Sequence, residues 1–268
     1  MDLHDRSILL TGAGSGIGRA LALQLAEHAP RLTLIGRRAD PLEGVAAQVR
    51  ERGGQALVLP SDLTAPGAAA AVVAGAQERF GDIDVLVNNA GNVRAGRLEA
   101  IDEAEVVAQV ALNLTAPILL TRAALPALRA SGDGLVVNIS SGIALIGMPF
   151  YATYAATKAA IAHFGEALRR ELHGEGVHVL NVYPGATSTP MMSSSQAGPE
   201  HGFDYESPEE VAAAAVAGIT DDSLTVVRGG QTRSRMIALN RDDPGAVDQL
   251  LAERKSELEQ AVADHSSL

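Results

Sequence analysis

The sequence contains no cysteine. Disulfides, zinc–thiolate centres and cysteine nucleophiles are therefore excluded, and a reducing compartment is in keeping with that absence. The chain begins Met-Asp-Leu-His-Asp-Arg, without the basic-then-apolar pattern of a secretory signal. No uninterrupted apolar run approaches the ~20 residues of a membrane-crossing helix. A cytoplasmic location without a membrane span is the expectation. Positive charge is also scarce. The formal net charge is -11 at pH 7, and a phosphate backbone would be repelled, so nucleic acid is not expected as a partner. The 7 histidines include no His-x-x-x-His pair of the metal-binding kind, and no metal is expected. No Gly-x-Ser-x-Gly elbow marks a serine hydrolase. Internal repeats and low-complexity linkers are missing as well. The sequons at Asn113 and Asn138 fall in segments expected to be buried, so glycosylation is not expected.

Hydrophobic residues make up 47% of the 268 residues and charged residues 20%, which suits a globular core. Apolar, β-rich runs alternate with amphipathic helical stretches. The expected strands are Ser7–Leu10, Leu32–Ile35, Ala56–Pro60, Val85–Asn88, Leu135–Ile139, Val177–Val182 and Thr225–Val227. Alternation of this kind predicts an α/β fold, a doubly wound parallel sheet with helices on both faces. Right-handed crossovers gather the strand C-termini on one edge, where ligands bind. The whole chain, 1–268, is expected to form one domain. Residues 190–207 lack periodicity and read as a loop beside the site. An amphipathic helical extension is expected over about 244–263.

Two motifs carry the chemistry. Thr11-Gly-Ala-Gly-Ser-Gly-Ile-Gly18 stands between an apolar strand and a helical pattern. Glycines let backbone approach a pyrophosphate, and a helix N-terminus offers its amides. The strict G-x-G-x-x-G spacing is not met. The second motif is Tyr154-Ala-Ala-Thr-Lys158, with Ser141 thirteen residues before the tyrosine. Residues i and i+4 share a helix face. The Lys158 charge is expected to favour the phenolate and pull the Tyr154 pKa below ~10. The competing account of the pair alone is a half-buried tyrosine beside a solvated lysine.

Taken together with Asn88-Asn-Ala-Gly91, Asn113, Ser140-Ser141 and Pro184-Gly185, these motifs resemble the short-chain dehydrogenase/reductase family in its ~250-residue, single-domain (Rossmann) branch. The matches run in family order from residue 7 to about 190. The resemblance implies hydride transfer between a nicotinamide and a carbonyl or secondary alcohol. By the same resemblance Tyr154 is the general acid/base, Ser141 orients the carbonyl oxygen, Lys158 binds ribose and tunes Tyr154, and Asn113 holds a water that links Lys158 to solvent. Cofactor contacts are implied for Gly12, Ser15, Gly16, Ile17, Gly18, Asp62, Leu63, Asn89, Ala90, Gly91, Tyr154, Lys158, Pro184, Gly185, Thr187 and Thr189. Asn88 is expected to brace the sheet, and Tyr151, which lacks a lysine at i+4, to serve as pocket wall or core. Relatives assemble through the long helices near Asn113 and Tyr154, so a homodimer or homotetramer is expected.

The end of the second strand reads Gly36-Arg37-Arg38. A carboxylate there would select NAD. Arginines grip a 2′-phosphate instead, which predicts NADP(H). Asp40 stands close by, and Ser15 occupies the place where such enzymes often carry a second basic residue. Met148, Phe150, Met191, Met192 and Phe203 predict a largely apolar small-molecule substrate. Arg228, Arg233 and Arg235 read as surface charges rather than as contacts to an acidic substrate. Two other functions stay open: a non-catalytic nucleotide-binding regulator or scaffold, and an NAD-dependent alcohol dehydrogenase.

Overall fold

The computed structural model describes residues 1–268. The chain runs β1 (Ser7–Thr11), α1 (Gly16–Leu25), β2 (Arg31–Gly36), α2 (Ala39–Glu51), β3 (Gln55–Pro60), α3 (Ala68–Phe80), β4 (Val85–Asn88), α4 (Glu103–Val110), α5 (Ala116–Ala130), β5 (Gly134–Ile139), α6 (Ala152–Glu171), β6 (Val177–Tyr183), β7 (Ala186–Thr187), β8 (Tyr205–Glu206), α7 (Pro208–Thr220), β9 (Thr225–Val227), α8 (Gly230–Asp242), α9 (Pro244–Ala252) and α10 (Lys255–Val262). Seven strands form one sheet in the order β3-β2-β1-β4-β5-β6-β9. All their pairings are parallel. The doubly wound expectation is met, with each expected strand in place to within a residue at either end.

The period-2 rule explains why these strands read as unbroken apolar runs. Ile8 and Leu10 enter one core with α1, α2 and α7. Leu9, between them, enters the opposite core with α3, α5 and α6. The strand order reverses between β1 and β4, the switch point where a crevice opens at the C-terminal edge.

Three asparagines brace that edge. Asn88, Asn138 and Asn181 stand in register on β4, β5 and β6. Asn88 Nδ2 donates to Asn138 Oδ1 at 3.0 Å and to Thr121 Oγ1 at 3.1 Å, Asn138 Nδ2 to Asn181 Oδ1 at 3.2 Å, and Asn181 Nδ2 to the Ala162 carbonyl at 3.0 Å. Buried amides need such partners. Asn88 is thus a brace, as expected.

Several features differ from expectation. α4 and α5 form one continuous helix through a π-helical turn, Ala111–Thr115. By length and composition this helix, Glu103–Ala130, could cross a bilayer. A search for unbroken apolar runs misses it because Gln109, Asn113 and Thr115 interrupt the pattern. Gln109 and Asn113 are buried and bonded to backbone amides of Arg94 and Asn92, so the helix packs on the domain. α3 begins at Ala68, after Gly67. The C-terminal extension is two helices rather than one, because it breaks between Ala252 and Lys255, and a further helix, α8, precedes it. Val247, Leu258 and Val262 are buried, whereas Leu250 is exposed.

Residues 190–207 are ordered by short 3-10 turns and by the β7–β8 pairing. The C-terminal segment holds them down. Gln196 N donates to the Ala261 carbonyl at 2.8 Å, and Ser194 Oγ to the Ser266 carbonyl at 3.0 Å. The tail then returns to the segment after β4, where Ser267 N donates to the Val93 carbonyl at 2.9 Å.

Candidate active site

The glycine turn leads from β1 into α1. Gly12 has φ +65°, a left-handed conformation that glycine adopts without steric cost. A Cβ on Gly18 would lie 2.2 Å from the Gly12 carbonyl oxygen, so only glycine lets the helix approach the strand this closely. Ser15 caps α1 without a side-chain bond, and no acidic residue stands in the first turn. The first amides and the positive end of the helix therefore face the cavity and can hold an anion.

Two cavities meet at this turn. The first is lined by Gly12, Ser15, Gly16, Ile17, Asn89, Ala90, Gly91, Ser141, Tyr154, Lys158, Pro184, Gly185, Thr187 and Thr189, among others. The second takes Gly12, Ser15, Arg37, Arg38, Asp62, Leu63, Ala90 and Gly91. Because they share Gly12, Ser15, Ala90 and Gly91, they form one cleft along the sheet edge. Two residues of the expected site do not line the cleft. Gly18 is buried beneath Gly12, where its work is packing, and Asn113 lies behind the wall.

α6 presents Tyr154 and Lys158 one turn apart. Lys158 is buried, and its Nζ donates to the Ile139 carbonyl at 3.0 Å. It sits 5.7 Å from the centre of the Tyr154 ring. Ser141 ends the extended segment after β5, and its Oγ accepts from Ile143 N at 3.3 Å. The neighbouring Ser140 is committed elsewhere, donating to the Lys158 carbonyl at 2.7 Å.

The electrostatics overturn one expectation. Burial pushes the Tyr154 phenol up to about 12, and a hydrogen-bonding influence from Ser141 offsets only part of that rise. Burial lowers Lys158 to about 8. The i,i+4 charge does not win because both groups lose water and the ammonium is turned to Ile139. In the protein alone Tyr154 is a protonated acid at neutral pH.

Asn113 sits in the π turn, a distortion often found at functional sites. Its Oδ1 accepts from Asn92 N at 2.8 Å; its Nδ2 donates to the Asn92 carbonyl at 2.9 Å and to Thr157 Oγ1 at 3.2 Å. A Cβ on Gly91 would lie 3.2 Å from Asn113 Oδ1 and 3.5 Å from Lys158 Nζ. Asn113 and Lys158 thus converge on Gly91.

At the far end of the cleft Arg37 and Arg38 are exposed and form no ion pair. Asp62 Oδ1 accepts from Thr64 N at 2.9 Å and Thr64 Oγ1 at 2.7 Å. These bonds, and then the Arg37 charge, hold its carboxyl below the usual range. Asp62 therefore closes a turn ahead of α3.

The near end is apolar. Ile143, Met148, Met191, Met192 and Phe203 line it, together with Tyr151. Phe150 does not line it. Two contributors were not foreseen. His265 from the tail is fully buried and lies 5.9 Å from the Tyr151 ring. Arg233 from α8 also faces the cavity, so it is not a surface charge. No motif marks either residue, since the tail and α8 reach the site only through tertiary packing. Arg228 instead pairs with Glu206 at 2.8 Å.

This geometry has counterparts among known proteins. The family model for short chain dehydrogenases matches residues 6–200. The chain belongs to the short-chain dehydrogenase family. It is 32% identical to a ketoacyl reductase from Nostoc, over 92% of this chain and 88% of that protein. It is 35% identical to a fatty acyl-CoA reductase from Mycobacterium tuberculosis, over 74% of this chain and 68% of that one. Among solved structures it matches levodione reductase with a TM-score of 0.79 at 30% identity, covering 86% of this chain and 98% of that one. A 3-ketoacyl-(acyl-carrier-protein) reductase from Brucella melitensis, complexed with NADH, matches with a TM-score of 0.77 at 26% identity, covering 85% and 98%. This short-chain dehydrogenase is thus an oxidoreductase by family, with neighbours that bind nicotinamide cofactors.

Proposed function

We propose that this short-chain dehydrogenase is an NADP(H)-dependent oxidoreductase that interconverts a carbonyl and a secondary alcohol on a small, largely apolar substrate. The observation that carries the proposal is the convergence of Ser141, Tyr154 and Lys158 on the cavity that also receives the glycine turn. The cleft fits a dinucleotide: uncapped helix amides stand at its middle, Gly91 leaves room beside Lys158, and two free guanidiniums stand at one end. When bound, the nicotinamide supplies or accepts the hydride.

The chain's own residues supply the proton and the orientation. Tyr154 donates its proton to the carbonyl oxygen in reduction and takes it back in oxidation. The Ser141 hydroxyl donates to the same oxygen as negative charge develops there. Lys158 stands beside Tyr154 and Gly91, placed to bind ribose hydroxyls. Asn113 holds the Asn92 backbone and keeps a lone pair on Oδ1 for a water between itself and Lys158. Gly12, Ser15, Gly16 and Ile17 serve the pyrophosphate; Asp62, Leu63, Asn89 and Ala90 the adenosine half; Pro184, Gly185, Thr187 and Thr189 the nicotinamide half. Gly18 serves by packing. Arg37 and Arg38, after Gly36 and without a carboxylate at the strand end, favour a 2′-phosphate.

The protein is read as a single catalytic unit working in the cytoplasm, in keeping with its lack of cysteine, and as a homo-oligomer. Exposed Val107, Val110 and Leu119 on the Glu103–Ala130 helix support assembly. The deciding experiment is turnover of a ketone panel with NADPH by the wild type and by Tyr154→Phe. Loss of the proton donor should lower kcat by 10²–10⁴-fold, the usual worth of a general acid. Full turnover by the variant would remove Tyr154 from the role.

A further inference from the structure

Arg228, Arg233 and Arg235 stand close together in the sequence after β9, and the structure separates them. Arg228 Nε pairs with Glu206 Oε2 at 2.8 Å. Arg235 is exposed and lines a separate surface groove. Arg233 alone faces the catalytic cavity. Its side chain lies in a slot between two glycines. A Cβ on Gly142 would stand 2.3 Å from Nη1, and one on Gly229 would stand 2.5 Å from Nε. Gly142 directly follows Ser141, so the guanidinium reaches the residue beside the expected carbonyl-binding serine.

Nothing in the protein neutralises it. The Arg233 guanidinium has neither a hydrogen bond nor an ion pair. The nearest acidic groups, Glu206 and Asp204, act on it only at a distance. Glu206 is already engaged by Arg228 and by the Gly185 amide at 3.0 Å. A guanidinium cannot shed its proton at any relevant pH. A partly buried charge without a partner is costly, and its planar fork matches a carboxylate or phosphate in a bidentate manner. The remaining wall at this end is apolar, with Met148, Met191 and Phe203.

We infer that Arg233 is an anion-binding residue of the substrate pocket, and that the substrate carries a carboxylate or phosphate oxygen group a few atoms from its reacting carbonyl, on an otherwise apolar body. This deepens the proposed oxidoreductase reading and rests on it for the word substrate. It adds a polar anchor to a pocket that otherwise selects by size and hydrophobicity alone.

The test uses binding, so that it does not depend on turnover. The full-length protein, alone and with saturating NADP⁺ or NAD⁺, is titrated calorimetrically with hexanoate, hexyl phosphate and hexanol. At least one anion should bind tenfold or more tighter than hexanol. Whichever anion binds more tightly identifies the group as carboxylate or phosphate. Arg233→Met should remove that preference while leaving hexanol binding within twofold, and Arg233→Lys, which keeps the charge, should retain part of it. If Arg233→Met does not fold, the lysine variant decides, because unchanged anion affinity without the planar fork would argue against a bidentate contact. Undetectable anion binding, equal affinity for hexanol, or an anion preference that survives Arg233→Met would overturn the inference. A loss of NADP⁺ affinity in Arg233→Met with anion preference intact would place the arginine on the cofactor and overturn it too. A protein that binds anions through Arg233 yet reduces no carbonyl would sink the proposed reaction and leave the anion site standing.

Discussion

Lys158 Nζ donates to the Ile139 carbonyl at 3.0 Å, and Ser140 Oγ, one residue beyond Ile139, donates to the Lys158 carbonyl at 2.7 Å. These two bonds tie the helix that carries Tyr154 to the strand end that carries Ser141. Lys158 is therefore held by a backbone partner and not by Tyr154. Burial meanwhile lowers Lys158 to about 8. Its positive charge is present below that pH and lost above it. If the charge supports proton transfer by Tyr154, kcat/KM for carbonyl reduction should fall through an alkaline limb near pH 8. Lys158→Arg, which stays charged, should carry whatever activity it retains without that limb. A wild-type profile that stays flat to pH 9.5 would defeat the expected loss of charge near pH 8.

Cofactor choice turns on the free guanidiniums at the end of β2. Each charge-assisted hydrogen bond is worth about 1.5–3 kcal/mol, and ~1.4 kcal/mol is tenfold in affinity. The double variant Arg37→Ala, Arg38→Ala should weaken NADPH binding by at least tenfold and leave NADH binding within about threefold. Fluorescence titration of the wild type with both cofactors is the check. A wild type that prefers NADH would defeat the arginine argument and leave the oxidoreductase assignment untouched.

Much of this site was legible because its signals are local. Strand, glycine turn and helix follow one another within residues 7–25, and the Tyr154–Lys158 pair needs only the helical period. Lysine itself is informative, since Lys158 and Lys255 are the chain's only lysines among its cations. What could not be read depends on distance or depth. Spacing predicts that Lys158 neighbours Tyr154, but not that both lose water, and so the direction of the phenol's shift came out reversed. Arg233 follows Gly229-Gly230, a stretch that looks like loop, and the slot that admits it is made by Gly142, ninety-one positions earlier. His265 reaches the pocket only because the tail pairs back at Val93 and Ser194.

That histidine makes the tail sensitive to acid. His265 is fully buried, its Nδ1 lies 3.1 Å from Ser194 Oγ, and its Nε2 has no partner. Burial lowers its pKa to about 4, with the Arg94 charge adding to the effect. The folded value lies below the unfolded ~6.5, so the unfolded chain takes up the proton first as pH falls. Stability from this group is whole above pH 6.5 and is lost as pH falls from there to about 4. The loss is about 3 kcal/mol by linkage, or roughly 6–12 °C for a chain of this size. Melting temperatures at pH 7 and 4.5 should therefore differ more for the wild type than for His265→Asn, which cannot titrate here. Parallel pH dependence in the two proteins would clear His265 of the effect.

The apolar surface of the long helix makes the last prediction. Val107 is 58% exposed, Val110 38% and Leu119 45%. Val107 and Val110 are three apart and so share a face. Helix surfaces of this kind are normally charged, and a contiguous exposed apolar area marks an interaction site. A stable pair needs about 800 Å² from each partner, which a helix of 28 residues packed on its symmetry mate is long enough to provide. The wild type should therefore sediment as a dimer or tetramer at micromolar concentration. Val107→Glu with Val110→Glu places like charges on the shared face and removes two apolar contacts, which should raise the dissociation constant by at least tenfold. Because Asn113 lies on the buried side of the same helix, bonded to Asn92 and Thr157, the substitutions should leave the monomer folded, with an unchanged circular dichroism spectrum. A wild type that is monomeric at 100-fold higher concentration, or an assembly that the double variant leaves intact, would remove this face from the interface.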